Sequence, residues 1–452
     1  MSTRSPRKRP VDQARRVAYD ALRAVHADDA YANLVLARLL GERHLSGRDA
    51  AFATELLAGT SRMQGTYDLV IAAAAGRSLS SFQPAVLDVL RLGTHQLLGM
   101  RVPVHAAVGA TVNLAASAVG ERVTGLTNAV LRLVAARNYD GWVELLVAGL
   151  DRPAALAVAT AHPRWVVDAY AEVLPDAELE PALLANNVAA EVSLAVRPGL
   201  AEVAELVAAG ARPAPLSPFG ATWSGSPGDL DAVRTSRAGV QDVGSQLVAW
   251  GLARAEAAPG WWLDLCAGPG GKSALLAGLA AEHGSRLLAN EISSHRADLV
   301  ASAVRGYAGS TAEIALTVAD GTRPAWRPGS FTRVLLDAPC TGLGALRRRP
   351  ESRWRRDTAA VEQLHPLQCG LLQSALAAST PGGVVAYVTC SPHERETTAV
   401  LAEVLATRDD VDIIDAGELL PEIADAGRGP FLQLWPHRHG TDAMFAAYLR
   451  RR

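Results

Sequence analysis

Lysine is nearly absent. Among 44 basic residues in 452, only Lys8 and Lys272 are lysine, so arginine carries almost all the positive charge. Cysteine is scarce at four residues, which excludes a disulfide-stapled scaffold and fits a reduced, cytoplasmic protein. Independently of the cysteines, a monomer is expected. No stretch approaches the roughly 18 uninterrupted apolar residues of a membrane span, and no membrane partner is expected. The basic first ten residues (MSTRSPRKRP) lead into no apolar core of a secretory signal, so residues 1–10 are read as a disordered tail. An excess of one charge is missing too: the net charge of -2 argues at first against a nucleic-acid partner. Position reverses that inference. Residues 1–150 hold 17 Lys+Arg against 12 Asp+Glu and the remainder 27 against 34, so a basic front and an acidic back cancel. Arg347, Arg348, Arg349, Arg353, Arg355 and Arg356 fall within ten residues. Guanidinium groups pair bidentately with phosphate and stack on bases, so these six are candidate RNA contacts.

What is present is an ordinary globular composition, 49% hydrophobic and 20% charged, which excludes wholesale disorder. Residues 11–142 read as a helical domain. Val11, Ala14, Val17, Ala18, Ala21, Leu22 and Val25 recur at helical spacing as one apolar stripe. Ser46 is expected to cap a helix ending near Arg62, and Pro84 and Pro103 to open the next two in their first turns. No catalytic cluster or Gly-rich loop occurs here, so the segment is structural or binds a partner. Residues 143–236 read as a connecting α+β subdomain, with helical patterns around 141–150 and 163–173 and a Pro/Gly-rich run, 211–228, of loops and turns. In 237–452, short apolar runs (261–266, 286–290, 314–318, 333–337, 384–390) alternate with helical stretches, the pattern of a doubly wound, Rossmann-like α/β domain.

The first of these runs opens into Cys266-Ala267-Gly268-Pro269-Gly270-Gly271-Lys272, with a helix expected to start near Ser273. Glycine lets the backbone approach a ligand, and a helix start offers unpaired N–H groups. A triphosphate-binding loop needs Gly where Cys266 stands, and a dinucleotide fingerprint needs Gly where Ser273 stands. The remaining reading is S-adenosylmethionine. Glu291, ending the second run, suits ribose hydroxyls, and Asp320, after the third, suits the adenine amino group.

Asp337-Ala338-Pro339-Cys340 and Thr389-Cys390-Ser391-Pro392 close the last two runs. Chemistry in parallel sheets gathers beyond the carboxyl ends of strands, and neighbouring strands lie about 4.8 Å apart, so two such thiols converge on one atom. Carbon 5 of cytosine is a poor nucleophile; a thiolate added at carbon 6 makes it enamine-like and able to accept a methyl group. Asp337 can protonate or stabilise the ring nitrogen, and the second cysteine can help remove the carbon-5 proton. The cysteines show no metal-binding spacing, and no metal is expected.

From Val240 to Cys390 the sequence resembles the Sun/Fmu group of RNA cytosine-C5 methyltransferases. The matching residues are Gln241-Asp242, Ser245-Gln246, Asp264 through Lys272, Asp337 through Cys340 and Thr389-Cys390-Ser391, with Gly440-Thr441-Asp442 near the end. The helical front is similar to the NusB-like domain of the branch acting on small-subunit ribosomal RNA, through Leu90-Arg91-Leu92-Gly93, Val102 through Ala106 and Asn128 through Arg132. The resemblance implies that Cys390 attacks the base, that Cys340 assists release, and that residues 266–272 with Glu291, Asp320 and Asp337 hold S-adenosylmethionine. It implies a cytosine of 16S rRNA as target. The chain departs from the family's pattern at Gly268, at Glu291, at Glu394-Arg395-Glu396, for which no role is assigned, and at Ala443-Met444. Two other readings stand beside it: a tRNA cytosine-C5 methyltransferase, and a non-catalytic RNA-binding factor with a vestigial methyltransferase fold.

Overall fold

The computed structural model describes residues 12–28 and 30–452; the expected basic tail and Val11 lie outside the described residues. The described chain falls into two compact units. One takes the chain up to Asp168 together with Arg349–Arg355; the other takes Ala169–Arg348 and Arg356–Arg452.

The first unit is helical: α1 (Gln13–Ala27), α2 (Ala32–Glu42), α3 (Gly47–Ala75), α4 (Pro84–Leu98), α5 (Val104–Ala118), α6 (Thr124–Val134), α7 (Tyr139–Val147) and α8 (Arg152–Ala159). The apolar stripe of α1 is its buried face, from Ala14 to Val25, and Asp12 caps it by accepting from the Arg15 amide. Two sequence expectations change in detail. Ser46 is the N-cap of α3, but its side chain makes no capping bond, and the helix runs thirteen residues past Arg62 to Ala75, because no proline interrupts that stretch. Pro84 is the first residue of α4, whereas Pro103 precedes α5 as its N-cap. The segment Arg349–Arg355 completes this unit: Trp354 donates to the Ser61 carbonyl at 2.7 Å and Arg353 to the Ala161 carbonyl at 2.9 Å.

The second unit holds two sheets. Four short antiparallel strands, β1 (Val192–Val196), β2 (Arg212–Pro213), β3 (Gly220–Trp223) and β4 (Ala238–Val240), lie in the order β2-β3-β1-β4. The run expected as loops thus contributes β2 and β3. Pro213 is tolerated because β2 is an edge strand, where a missing N–H breaks no ladder bond.

The large sheet has nine strands: β5 (Trp261–Asp264), β6 (Arg286–Glu291), β7 (Ile314–Val318), β8 (Phe331–Asp337), β9 (Ser379–Thr389), β10 (Val411–Ile414), β11 (Gly427–Arg428), β12 (Phe431–Gln433) and β13 (Phe445–Arg451). Its order is β11-β12-β13-β9-β8-β5-β6-β7, with β10 also on β13. The run from β9 to β7 is parallel, and β13 returns antiparallel to β9. Alternation along the strands feeds two cores. Trp262, Leu335, Val384, Ala386 and Val388 face one, with helices Val243–Arg254 and Gly271–Glu282; Leu263, Val334, Leu336, Val385 and Tyr387 face the other, with helix Thr358–Ala378. This is the doubly wound α/β class, preceded by a helical domain. Chain order switches direction between β5 and β8, where such sheets bind ligands. No described helix is long and apolar enough to cross a membrane.

Candidate active site

The site is assembled from loops leaving the carboxyl ends of β5, β6, β8 and β9. Asp337 pairs with Val388 in the register of β8 on β9, so Cys340 and Cys390 lie three and two residues beyond that level. Their sulfurs are 3.4 Å apart. The approach is enforced by Gly344, whose amide donates to the Cys390 carbonyl at 2.8 Å and whose carbonyl accepts from the Ala443 amide at 2.9 Å. A Cβ at Gly344 would lie 2.0 Å from the Ala443 carbonyl oxygen, so only glycine lets these chain segments meet.

The hydrogen bond to Cys390, then burial, push Cys340 well above the ordinary cysteine range, so Cys340 keeps its proton near neutral pH. Lys272 Nζ lies 2.7 Å from Asp337 Oδ2. Burial works against the Lys272 charge, but Asp337, with Cys390 and Asp264, outweighs it and holds the amine protonated.

Residues 266–272 form the turn between β5 and the helix Gly271–Glu282. Gly270 adopts φ +105°, a left-handed conformation that favours glycine. The Gly268 amide donates to Glu291 Oε2 at 2.9 Å, and the Ser293 amide to Glu291 Oε1 at 3.1 Å, so the carboxylate at the end of β6 is fixed against the loop. Burial raises the Cys266 thiol, an inert wall of the turn. Asp264 is buried; its Oδ2 accepts from Ser273 at 2.6 Å while Oδ1 has no hydrogen-bond partner. Burial pushes its carboxyl up to about 7. Asp320 lies two residues past β7, where its Oδ1 accepts from the Thr322 amide and hydroxyl. Those bonds lower its pKa.

The six arginines differ in their surroundings. Arg348 pairs with Asp242 at 2.7 Å and Asp442 at 3.3 Å, and Arg347 lies 3.7 Å from Asp442 and donates to the Gly440 carbonyl. Arg353 is fully buried, and Arg355 donates to the Val25 and Ala30 carbonyls within the helical unit. Arg349 and Arg356 are exposed. An arginine run reads as one patch only if its side chains share a face, and here the chain passes between two units within ten residues.

One important side chain was not assigned from sequence. Glu396 is fully buried; it accepts from the Thr341 amide at 2.8 Å, from the Thr341 hydroxyl at 2.5 Å and from Gln368 Nε2 at 3.3 Å. Gln368 also donates to the Pro339 carbonyl at 2.8 Å. Together they clamp the residues on both sides of Cys340. The available signal was a charged residue six positions after Cys390, inside the motif that departs from the family pattern.

Residues 252–450 match the model of the 16S rRNA methyltransferase RsmB/F family, and residues 12–136 that of the NusB family. Rv1407 of Mycobacterium tuberculosis, which carries a methyltransferase name, is 51% identical over 99% of both chains. Ribosomal RNA small subunit methyltransferase B of Pseudomonas putida is 33% identical over 87% of this chain and 88% of its own. The chain belongs to the RsmB/F methyltransferase family. The fold is shared with PH0851, at a TM-score of 0.81 and 21% identity over 98% of this chain and 99% of that one. It is also shared with NSun6 of Pyrococcus horikoshii, at 0.54 and 16% over 64% and 98%. RsmB/F enzymes use S-adenosylmethionine, and the turn here fits it: a left-handed glycine, the fixed acid Glu291 and the unpartnered acceptor Asp264 Oδ1 surround one strand–helix junction.

Proposed function

We propose that the protein methylates carbon 5 of a cytosine in 16S rRNA through a covalent adduct between Cys390 and the base. The observation that carries this reading is the 3.4 Å approach of Cys340 and Cys390 at adjacent strand ends, with the Lys272–Asp337 pair beside the cofactor turn. Relatives named for small-subunit ribosomal RNA methylation support the choice of target. Residues 266–272, Glu291, Asp264 and Asp320 hold S-adenosylmethionine, which supplies an electrophilic methyl group.

Cys390 attacks carbon 6 as the thiolate, forming the C–S bond and moving the ring electrons toward carbon 5. The proton that Cys390 gives up passes to the ring nitrogen, where the Asp337 carboxylate, bridged to Lys272, accepts its hydrogen bond. Cys340 begins as the protonated partner. Once Cys390 has become a thioether, its charge and its hydrogen bond no longer raise the Cys340 pKa, and only burial and more distant carboxylates remain. Cys340 then releases its own proton to solvent more readily, and as the thiolate it takes up the carbon-5 proton of the methylated ring, which restores the ring double bond and expels Cys390 as the thiolate. Arg349 and Arg356, the exposed members of the arginine run, contact RNA phosphates, and the NusB-like domain adds affinity. All of these residues lie on one chain, so a monomer suffices.

Denaturing gels of the protein mixed with RNA and cofactor test the division of roles. Cys390→Ala should form no gel-stable protein–RNA species, and Cys340→Ala should accumulate one. Equal yields from the two variants would refute it. Mapping methylated cytosines in rRNA and tRNA from cells lacking the protein tests the target.

A further inference from the structure

A second cluster of ligating side chains lies behind the Cys340 loop. His365 and Cys369, one helical turn apart on the helix Thr358–Ala378, meet Glu403 of the helix Thr398–Leu405. The three ligand atoms lie within 4.8 Å of one another. His365 Nε2 is 2.9 Å from Glu403 Oε2 and 3.6 Å from Cys369 Sγ. His365 Nδ1 faces the Arg395 carbonyl at 2.7 Å.

That last contact decides what the cluster can do. A carbonyl only accepts, so Nδ1 carries the hydrogen, and a neutral ring presents its lone pair at Nε2. Nε2 then faces a carboxylate, another acceptor, so a cation must sit between them: either a second proton or a metal ion. A proton accounts for the His–Glu contact alone. The buried Cys369 sulfur, one helical turn from His365, adds a third ligating atom beside the same nitrogen. An imidazole oriented by a backbone carbonyl through its other nitrogen is the usual arrangement of a metal-ligating histidine.

We propose that His365 Nε2, Cys369 Sγ and Glu403 Oε2 bind a zinc ion, with water in the fourth position on the exposed Glu403 side. One nitrogen, one sulfur and one oxygen suit zinc, whereas magnesium and calcium favour all-oxygen sets and copper(I) favours sulfur. The N–S separation of 3.6 Å is that of two ligands at about 2.0–2.1 and 2.3 Å on a tetrahedral centre, and the 2.9 Å N–O separation widens by about half an ångström as the exposed Glu403 side chain takes up the ion. Binding releases the Cys369 thiol proton and the proton shared by His365 and Glu403. Cysteine spacing alone misses this site, because its ligands are a His–Cys pair at i and i+4 and a glutamate on another helix. The ion braces the helix that carries Gln368, and through it the Pro339 carbonyl and Glu396.

The test uses the full-length protein, stripped with chelator and kept reduced with a phosphine. Titration with Co²⁺ should give one equivalent of a tetrahedral site with thiolate-to-cobalt charge-transfer absorption, displaced by Zn²⁺. Cys369→Ser should abolish that absorption and weaken Zn²⁺ binding by at least about 100-fold, a ligand being worth no less than its outer-shell partners. Glu403→Gln, on an exposed residue that does not disturb folding, should weaken Zn²⁺ binding by at least about 10-fold. A Cys340→Ala/Cys390→Ala double variant should keep the absorption. No uptake by the stripped wild-type protein, unchanged affinity in Glu403→Gln, or absorption that follows Cys340 and Cys390 instead of Cys369 would each overturn the proposal.

Discussion

Asp88 in the helical unit and Asp264 in the methyltransferase unit are equally buried, each 1% exposed, and their surroundings are opposite. Asp88 receives Arg23 at 2.6 Å, His26 at 2.8 Å and Arg91 at 3.0 Å. Burial works against its charge, but hydrogen bonds from His26 and Arg23 and the charge of Arg91 outweigh it, and its pKa falls. Asp264 has a single hydroxyl partner, an unpaired Oδ1 and a pKa pushed up by burial. The helical unit spends its buried charge internally, tying α1 to α4 and, through the 2.7 Å Arg91–Asp68 pair, α4 to α3. The methyltransferase unit leaves acceptors open at its strand ends. A closed network holds helices together; an open one is what a ligand can complete.

The largest effect should come from opening the closed network. Asp88→Ala leaves two guanidinium groups and an imidazole without their shared acceptor, a loss of about 3–5 kcal/mol for a broken buried ion pair. Chemical denaturation should show that loss, while methyl transfer per folded molecule stays within about twofold. A loss below about 1 kcal/mol would mean that water already satisfies these cations, and the contrast with Asp264 would collapse.

The next effect belongs to Asp264 and has a sign. In the unfolded chain its carboxyl titrates near 4, whereas in the fold it keeps its proton up to about 7. Between those values the folded state binds more protons, so stability falls as pH rises, by up to about 1.4 kcal/mol per pH unit, and levels off above 7. Asp264→Asn, whose amide oxygen can still accept from Ser273, should flatten that slope between pH 4 and 7 in urea melts. S-adenosylmethionine affinity should fall as well, because the substitution puts an amide where an acceptor is open. A slope unchanged from wild type would show that Asp264 ionises normally.

How far the sequence carried these distinctions depends on where a residue's partners come from. The turn at 266–272, the cysteines at 340 and 390 and the acids after β6 and β7 were legible because chemistry at strand ends leaves local motifs, and the alternation of the strands named the sheet. Asp88 was invisible: its three partners come from two helices whose register only packing fixes. The surroundings of the arginine run were hidden for the same reason, since residues adjacent in sequence divide between two units once the chain folds. Glu396 sat within view inside a departing motif, yet its meaning lies in Thr341, 55 residues earlier.

Glu396 supplies the smallest predicted effect and the finest distinction. It is a buried carboxylate like Asp264, but neutral donors from Thr341 and Gln368 fill it, so it positions chemistry without touching the base. Glu396→Gln keeps the shape and sets an NH₂ group against donors, unseating the loop on one side of Cys340. Turnover should fall about tenfold, equivalent to about 1.4 kcal/mol. The decisive readout is partition. If Glu396 acts by placing Cys340, attack by Cys390 continues while release slows, so the variant should accumulate protein–RNA adduct as Cys340→Ala does, to a smaller extent. If Glu396 only supports the fold, adduct and turnover should fall together, because Cys390 would be displaced with everything else. Glu396→Asp, which keeps the charge but shortens the reach, should give an intermediate adduct level under the first account and none under the second.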